Sequence, residues 1–224
     1  QGGVYSLLKV LELDGDSVKG KSFIVQGAGN AGLTFANILT GLGAKLIGIS
    51  DSRGGIYDKK GLNIEKIREL KAGRKSVTEY KGVEYVSNEE ILEKSTDILV
   101  PAALENQIIE ENASKINAPL IVELANGPVT PEADAVLFKN KVRVIPDILA
   151  NAGGVMVSYF EQVQNNINFY WEEEEIDEKL KNKMEKSTID VYNKSKELNT
   201  NMRNGAYVIA MKRVLDSMSD RGEH

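Results

Sequence analysis

The sequence predicts an α/β protein: a doubly wound, mostly parallel sheet with helices on both faces and extra C-terminal helices. Three observations carry this expectation. Short continuous apolar runs alternate with segments of helical period over about residues 1–151, and such runs suit strands buried on both faces of a parallel sheet. One run passes directly into a turn containing Gly27, Gly29 and Gly32. From about residue 152 the pattern is helical only.

The elements follow in order. "VYSLLKVL" places Val4, Leu7, Leu8 and Leu11 on one helical stripe. "SFIVQ" is the first buried strand. Ala31, Phe35, Ile38, Leu39 and Leu42 then recur at helical spacing, and Gly43 supplies a stop. "KLIGIS" is the second strand, and Asn63 is placed to cap a short helix ending near Gly73. "DILVP" and "LIVEL" are strands flanking a helix expected over about residues 105–116. Thr130 as N-cap and Pro131 at the first helical position start another helix, and "VRVIPD" is a further strand. Beyond residue 152, Met156, Tyr159, Phe160, Val163 and Ile167 form one stripe, and Ile176, Leu180 and Met184 begin another. In "WEEEEIDEKLKNK", Glu175–Lys179 and Asp177–Lys181 are i, i+4 pairs in the favourable order, on a solvated face. No repeat or long linker interrupts the chain, so residues 1–224 read as one domain.

Composition closes several routes. The net charge is −5 with no dense basic cluster, which argues against nucleic acid as a partner. No apolar run approaches the roughly 18 residues of a membrane span, and the opening residues do not read as a signal peptide. The cytoplasm is therefore the expected location. Without cysteine there is no disulfide or thiol chemistry, and without a His/Cys cluster no metal site is expected. The single histidine, His224, is the last residue and reads as a native tail or a tag remnant.

The chemistry lies in "GAGNAG", residues 27–32. A G-x-G-x-x-G run between strand and helix turns the backbone sharply and admits a pyrophosphate where a Cβ would block it. The phosphates then rest on the free amides of the helix N-terminus. Asp51 lies about twenty residues on, at the end of the second strand, where an acidic side chain accepts from the adenosine ribose hydroxyls. The motif and its context predict Rossmann-type dinucleotide binding. A carboxylate favours NAD, because it repels a 2′-phosphate. Ser52 and Arg53 could instead hold that phosphate, so NAD or NADP both stand.

Beyond the glycine turn, "SDSRGGIY", "DILVPAALENQI", "ELANGPVTPEAD", "PDILANAGGVMVSYFEQVQN" and "MRNGAYVIAMKRV" run in order along the chain. With them the sequence resembles the coenzyme-binding domain of hexameric glutamate dehydrogenases, in the superfamily that includes the leucine, phenylalanine and valine enzymes. The resemblance implies that backbone around Asn30 and Ala31 holds the pyrophosphate, with Asp51 and Ser52 beside the adenosine ribose. It puts Ala102 and Ala103 along the coenzyme and Asn126 near the nicotinamide ribose. It also gives Asn151 to the carboxamide and Ser158 to the distal carboxylate of glutamate. The implied reaction is reversible oxidative deamination of L-glutamate to 2-oxoglutarate and ammonia.

That reaction needs a lysine that activates water and an aspartate that moves protons, and the family carries both on an N-terminal substrate domain. Nothing in this sequence matches that domain, so no catalytic residue is expected on this chain. The expectation is a partial chain that binds coenzyme but is inactive alone. It would be a monomer or weak dimer, where the full-length protein would be a homo-hexamer. The alternatives are the coenzyme domain of a leucine- or phenylalanine-type dehydrogenase and a stand-alone nucleotide-binding module.

Overall fold

The computed structural model describes residues 1–222, so His224 lies outside the described residues. The chain opens with helix α1 (Gly2–Leu13) and strand β1 (Ser22–Gln26), then α2 (Asn30–Gly41) and β2 (Lys45–Asp51). An antiparallel excursion follows: β3 (Gly54–Tyr57), α3 (Ile64–Ala72), a single 3₁₀ turn (Val77–Glu79) and β4 (Glu84–Val86). The second half of the sheet is built by α4 (Glu90–Glu93), β5 (Ile98–Pro101), α5 (Glu110–Ala113), β6 (Leu120–Val122), α6 (Pro131–Lys139) and β7 (Arg143–Ile145). Helices α7 (Asp147–Ala150), α8 (Ala152–Ile167), α9 (Glu173–Glu197) and α10 (Met202–Asp220) complete the described chain.

The sheet order is β4-β3-β2-β1-β5-β6-β7. Strands β2, β1, β5, β6 and β7 are mutually parallel, and β3 and β4 join antiparallel at one edge. β1 therefore sits centrally, with β2 on one side and β5 on the other. Successive side chains of a strand face opposite ways, and β1 buries both sets. Phe23 and Val25 enter the core that holds α1, α2 and α3, while Ile24 enters the core that holds α4, α5 and α6. Helices on both faces of a mostly parallel sheet make the doubly wound α/β fold expected from the sequence. A third cluster, Phe160, Leu180 and Met184 with Tyr5 and Trp171, seats α8 and α9 against α1.

Most element expectations hold, and the departures have physical causes. The two antiparallel strands are absent from the sequence reading, because β3 begins with two glycines and β4 exposes Glu84 and Tyr85. The helix expected over about 105–116 shrinks to α5, since Asn106 takes φ 53° and Ile108 bridges in strand fashion to Val129. In α2 the buried face is Gly32, Phe35, Ala36 and Leu39, so Ala31 and Leu42 point outward. In α8, Phe160 is buried while Tyr159 and Ile167 are exposed. Glu175 and Lys179 pair at 3.2 Å. Asp177 instead accepts from the Tyr5 hydroxyl at 2.6 Å, which ties α9 to α1.

The helix starts behave as capping chemistry requires. Asn63 accepts from the Lys66 amide at 3.0 Å, and Thr130 accepts from the Ala133 amide at 3.3 Å. Replacing Thr130 with alanine leaves that amide without its partner. It is expected to lower stability by about 1 kcal/mol in urea unfolding, with an unchanged denaturant slope.

Candidate functional site

The carboxyl ends of the central strands define a crevice, and the turn after β1 shapes its floor. The Ser50 carbonyl accepts from the amides of Gly27 and Ala28 at 3.1 and 2.6 Å, which ties the turn to β2. On the other side, the Ala102 amide donates to the Gln26 carbonyl at 2.8 Å. Gly27 has φ +111°, and a Cβ built there would meet the backbone of Ala102 and Ala103 at 2.8–2.9 Å. A Cβ on Gly32 would meet the Gly27 carbonyl oxygen at 2.0 Å, so only glycine lets α2 sit this close to the turn. Gly29 differs from both: it is exposed, and a Cβ there would meet nothing within 4 Å.

No side chain caps α2, whose N-cap is Gly29. The first amides of a helix have no partner within it and carry the positive end of its dipole. Exposed Asn30 and Ala31 present this end to the crevice. A cavity of about 370 Å³ is lined there by Asn30, Ala31, Thr34, Leu124, Asn151 and Gly154. A diphosphate fits this cradle, which offers free donors and a position that any side chain larger than hydrogen would fill.

The structure brings most of the expected residues to this one edge. Ala102 is partly buried and Ala103 exposed, immediately after β5. Asn126 follows β6 and Asn151 follows α7, and the Asn151 side-chain amide donates to the Asn126 Oδ1 at 2.7 Å. Ser52 and Arg53 are exposed at the β2–β3 turn. Ser158 is not among the residues lining the cavity. It lies exposed on α8, one helical turn beyond Gly154 on the same face.

Asp51 departs from expectation. Its carboxylate is not a free acceptor at the crevice lip, because its side chain is only 9% exposed and forms an ion pair with Lys71 Nζ at 2.8 Å. It also accepts from Ser76 Oγ at 2.9 Å and from the Val77 and Arg53 amides at 3.0 Å each. Burial works to raise its pKa, but these donors outweigh burial and hold the carboxyl below its ordinary value. Asp51 thus fastens β2 to α3 and the 3₁₀ turn, with its charge neutralised by Lys71. Nothing local signalled this, since Lys71 is one of two lysines on a short charged helix.

A second group that the sequence reading missed lies beneath the two asparagines. Arg203, near the start of α10, reaches Glu123 at 2.6 Å, Asp147 at 3.1 Å and Asp134 at 3.3 Å. Glu123 is fully buried at the end of β6. Removing one partner from such a buried cluster leaves uncompensated charge, at a cost of about 3–5 kcal/mol. One guanidinium cannot neutralise three carboxylates. Burial pushes the Glu123 carboxyl up to about 7 against the pull of Arg203, and burial likewise raises Asp134. Burial opposes the charge on Arg203, yet the surrounding carboxylates prevail and raise its pKa. The available signal was a glutamate inside the otherwise apolar run "LIVEL".

Comparison with known proteins agrees with this geometry. A family model described as Glutamate/Leucine/Phenylalanine/Valine dehydrogenase matches residues 1–222. The chain is 45% identical over 205 residues to the NAD-specific glutamate dehydrogenase of Staphylococcus aureus strain COL, covering 92% of this chain and 49% of that relative. Glutamate dehydrogenase 2 of Plasmodium falciparum superposes with a TM-score of 0.91 at 31% identity, over 100% of this chain and 52% of that one. The hetero-hexameric glutamate dehydrogenase of Thermus thermophilus, in a leucine-bound form, gives 0.90 at 27% identity, over 100% and 53%. The chain spans about half the length of the curated relatives it matches.

The raised Glu123 pKa has a signed consequence for stability. The folded chain keeps a proton on this group that the unfolded chain releases between pH 4.5 and about 7. Its contribution to stability is fully present below pH 4.5 and lost as pH rises through about 7. Thermal unfolding of the Glu123→Gln variant between pH 5 and 8 is therefore expected to show a flatter pH dependence than wild type. An unchanged slope would put the proton elsewhere.

Proposed function

Because this chain belongs to the Glutamate/Leucine/Phenylalanine/Valine dehydrogenase family, we propose that it is the coenzyme-binding part of a glutamate dehydrogenase, taking NAD or NADP. The observation that carries the reading is the bare turn at residues 27–32, with the uncapped start of α2 opening onto the crevice. Backbone amides around Asn30 and Ala31 hold the diphosphate there, favoured by the helix dipole. The adenosine end lies toward the β2–β3 turn, beside Ser52 and Arg53. Asp51 supports that turn from below, and its pairing with Lys71 removes most of the repulsion that would exclude a 2′-phosphate. Both coenzymes are therefore admitted.

Ala102 and Ala103 leave room for the coenzyme to pass β5, and it extends toward Asn126 and Asn151. When bound, it supplies the hydride acceptor or donor. Asn126 steadies the nicotinamide ribose, and Asn151 holds the carboxamide, which fixes the ring face presented to substrate. Asn126 Oδ1 already accepts from Asn151, which orients both side chains before ligand arrives. Ser158 meets the distal carboxylate of the substrate.

In the whole protein, the reaction is reversible oxidative deamination of L-glutamate to 2-oxoglutarate and ammonia. The groups that activate water and move protons belong outside this chain, which alone binds coenzyme without turnover. The whole protein is a homo-hexamer in the cytoplasm, and this chain by itself is a monomer or weak dimer. Among the described residues no helix is long and apolar enough to cross a membrane.

Gly29 gives the cleanest test, because the folded chain has space for a Cβ that a bound diphosphate would displace. The Gly29→Ala variant is expected to unfold within about 1 kcal/mol of wild type. Its calorimetric affinity for NAD+ is expected to fall at least tenfold. Equal affinity for the two proteins would take the diphosphate off the turn.

A further inference from the structure

The crevice has two ends, and different parts of the fold hold them. The glycine turn is fixed by β1, β2 and β5. Asn126 and Asn151 sit instead on loops after β6 and α7, and both loops lead back to one side chain. Glu123 stands three residues before Asn126, and Asp147 stands four residues before Asn151. Asp147 Oδ2 accepts from the Gly127 amide at 2.8 Å, gripping the loop that carries Asn126. Glu123 Oε2 accepts from the Asp147 amide at 2.7 Å, which joins the two loops. Arg203 takes the remaining oxygens, Glu123 Oε1 at 2.6 Å and Asp147 Oδ1 at 3.1 Å. Its Nε faces Asp134 Oδ2 at 3.3 Å, and Asn201 Nδ2 donates to that same oxygen at 2.7 Å, which fastens the start of α10 to α6.

We infer that Arg203 is a positioning residue for the nicotinamide end of the crevice, holding the Asn126 and Asn151 loops at the spacing that lets one carboxamide and its ribose engage both. The inference rests on the coenzyme reading above and adds a residue that touches no ligand. Arg203 suits the role because a guanidinium is a planar fork with several fixed donors, able to hold carboxylates from separate loops in one plane. A lysine in its place carries the same charge on a single point and cannot hold all three. The glycine turn makes no bond to this cluster, so the effect is confined to one end of the ligand.

That confinement separates positioning from general stability. Affinity is measured by calorimetry for NADH and for ADP-ribose, which keeps the adenosine and diphosphate but lacks the nicotinamide. The Arg203→Lys variant is expected to bind NADH at least tenfold more weakly, with ADP-ribose affinity changed less than twofold. The Asp147→Asn variant, which weakens the same link from the other side, is expected to show the same split and serves should the first fail to fold. Equal losses for both ligands would make the cluster merely structural and overturn the inference, as would no loss for either. Wild-type protein that binds neither ligand would instead overturn the coenzyme reading, and this inference with it.

Discussion

The closeness of α2 to the end of β1 is the constraint on which the site depends. It exists because residues 27 and 32 lack a Cβ: the first passes against the backbone of residues 102 and 103, the second against the carbonyl of the first. The Ser50 carbonyl takes up the amides of Gly27 and Ala28, so the turn cannot swing outward. What remains unsatisfied is the start of the helix, and it faces the point where β1 separates β2 from β5. In open α/β sheets that switch point is where ligands bind. The same geometric requirement shapes the fold and creates the crevice.

Around this fixed centre the edges are held by charge as well as by apolar packing. On one side Asp51 gathers Lys71, Ser76 and two backbone amides. On the other, Arg203 gathers three carboxylates from β6, α6 and α7. Ionic networks of this kind give the loops a defined geometry at some cost in stability. Both networks spend their charges internally, so the crevice itself is lined mainly by backbone, amides and small side chains.

Where local chemistry decides the outcome, the sequence was readable. The stripe of α1, the apolar run of β1, the caps Asn63 and Thr130 and the glycine turn each follow from neighbours a few residues apart. The turn, Asn126 and Asn151 reached a common edge because each follows a strand or short helix at the same end of the sheet. The antiparallel edge was hidden because Gly54 and Gly55 carry no strand preference of their own, and pairing with β2 imposes it. Lys71 and Arg203 were hidden for a different reason: their partners lie 20 to 80 residues away in sequence. Nothing near a charged residue indicates that it will be buried against another. The partners that engage the Asp51 carboxylate were hidden on this ground.

Amide chemical shifts measured by nuclear magnetic resonance during titration with NAD+ report which atoms meet the diphosphate. The backbone amides of Asn30, Ala31 and Gly32 are expected to move first and furthest, with the amides of Asn126 and Asn151 following at the same midpoint. Saturating coenzyme that leaves the start of α2 unperturbed, while shifting amides elsewhere or none at all, would contradict this placement of the diphosphate.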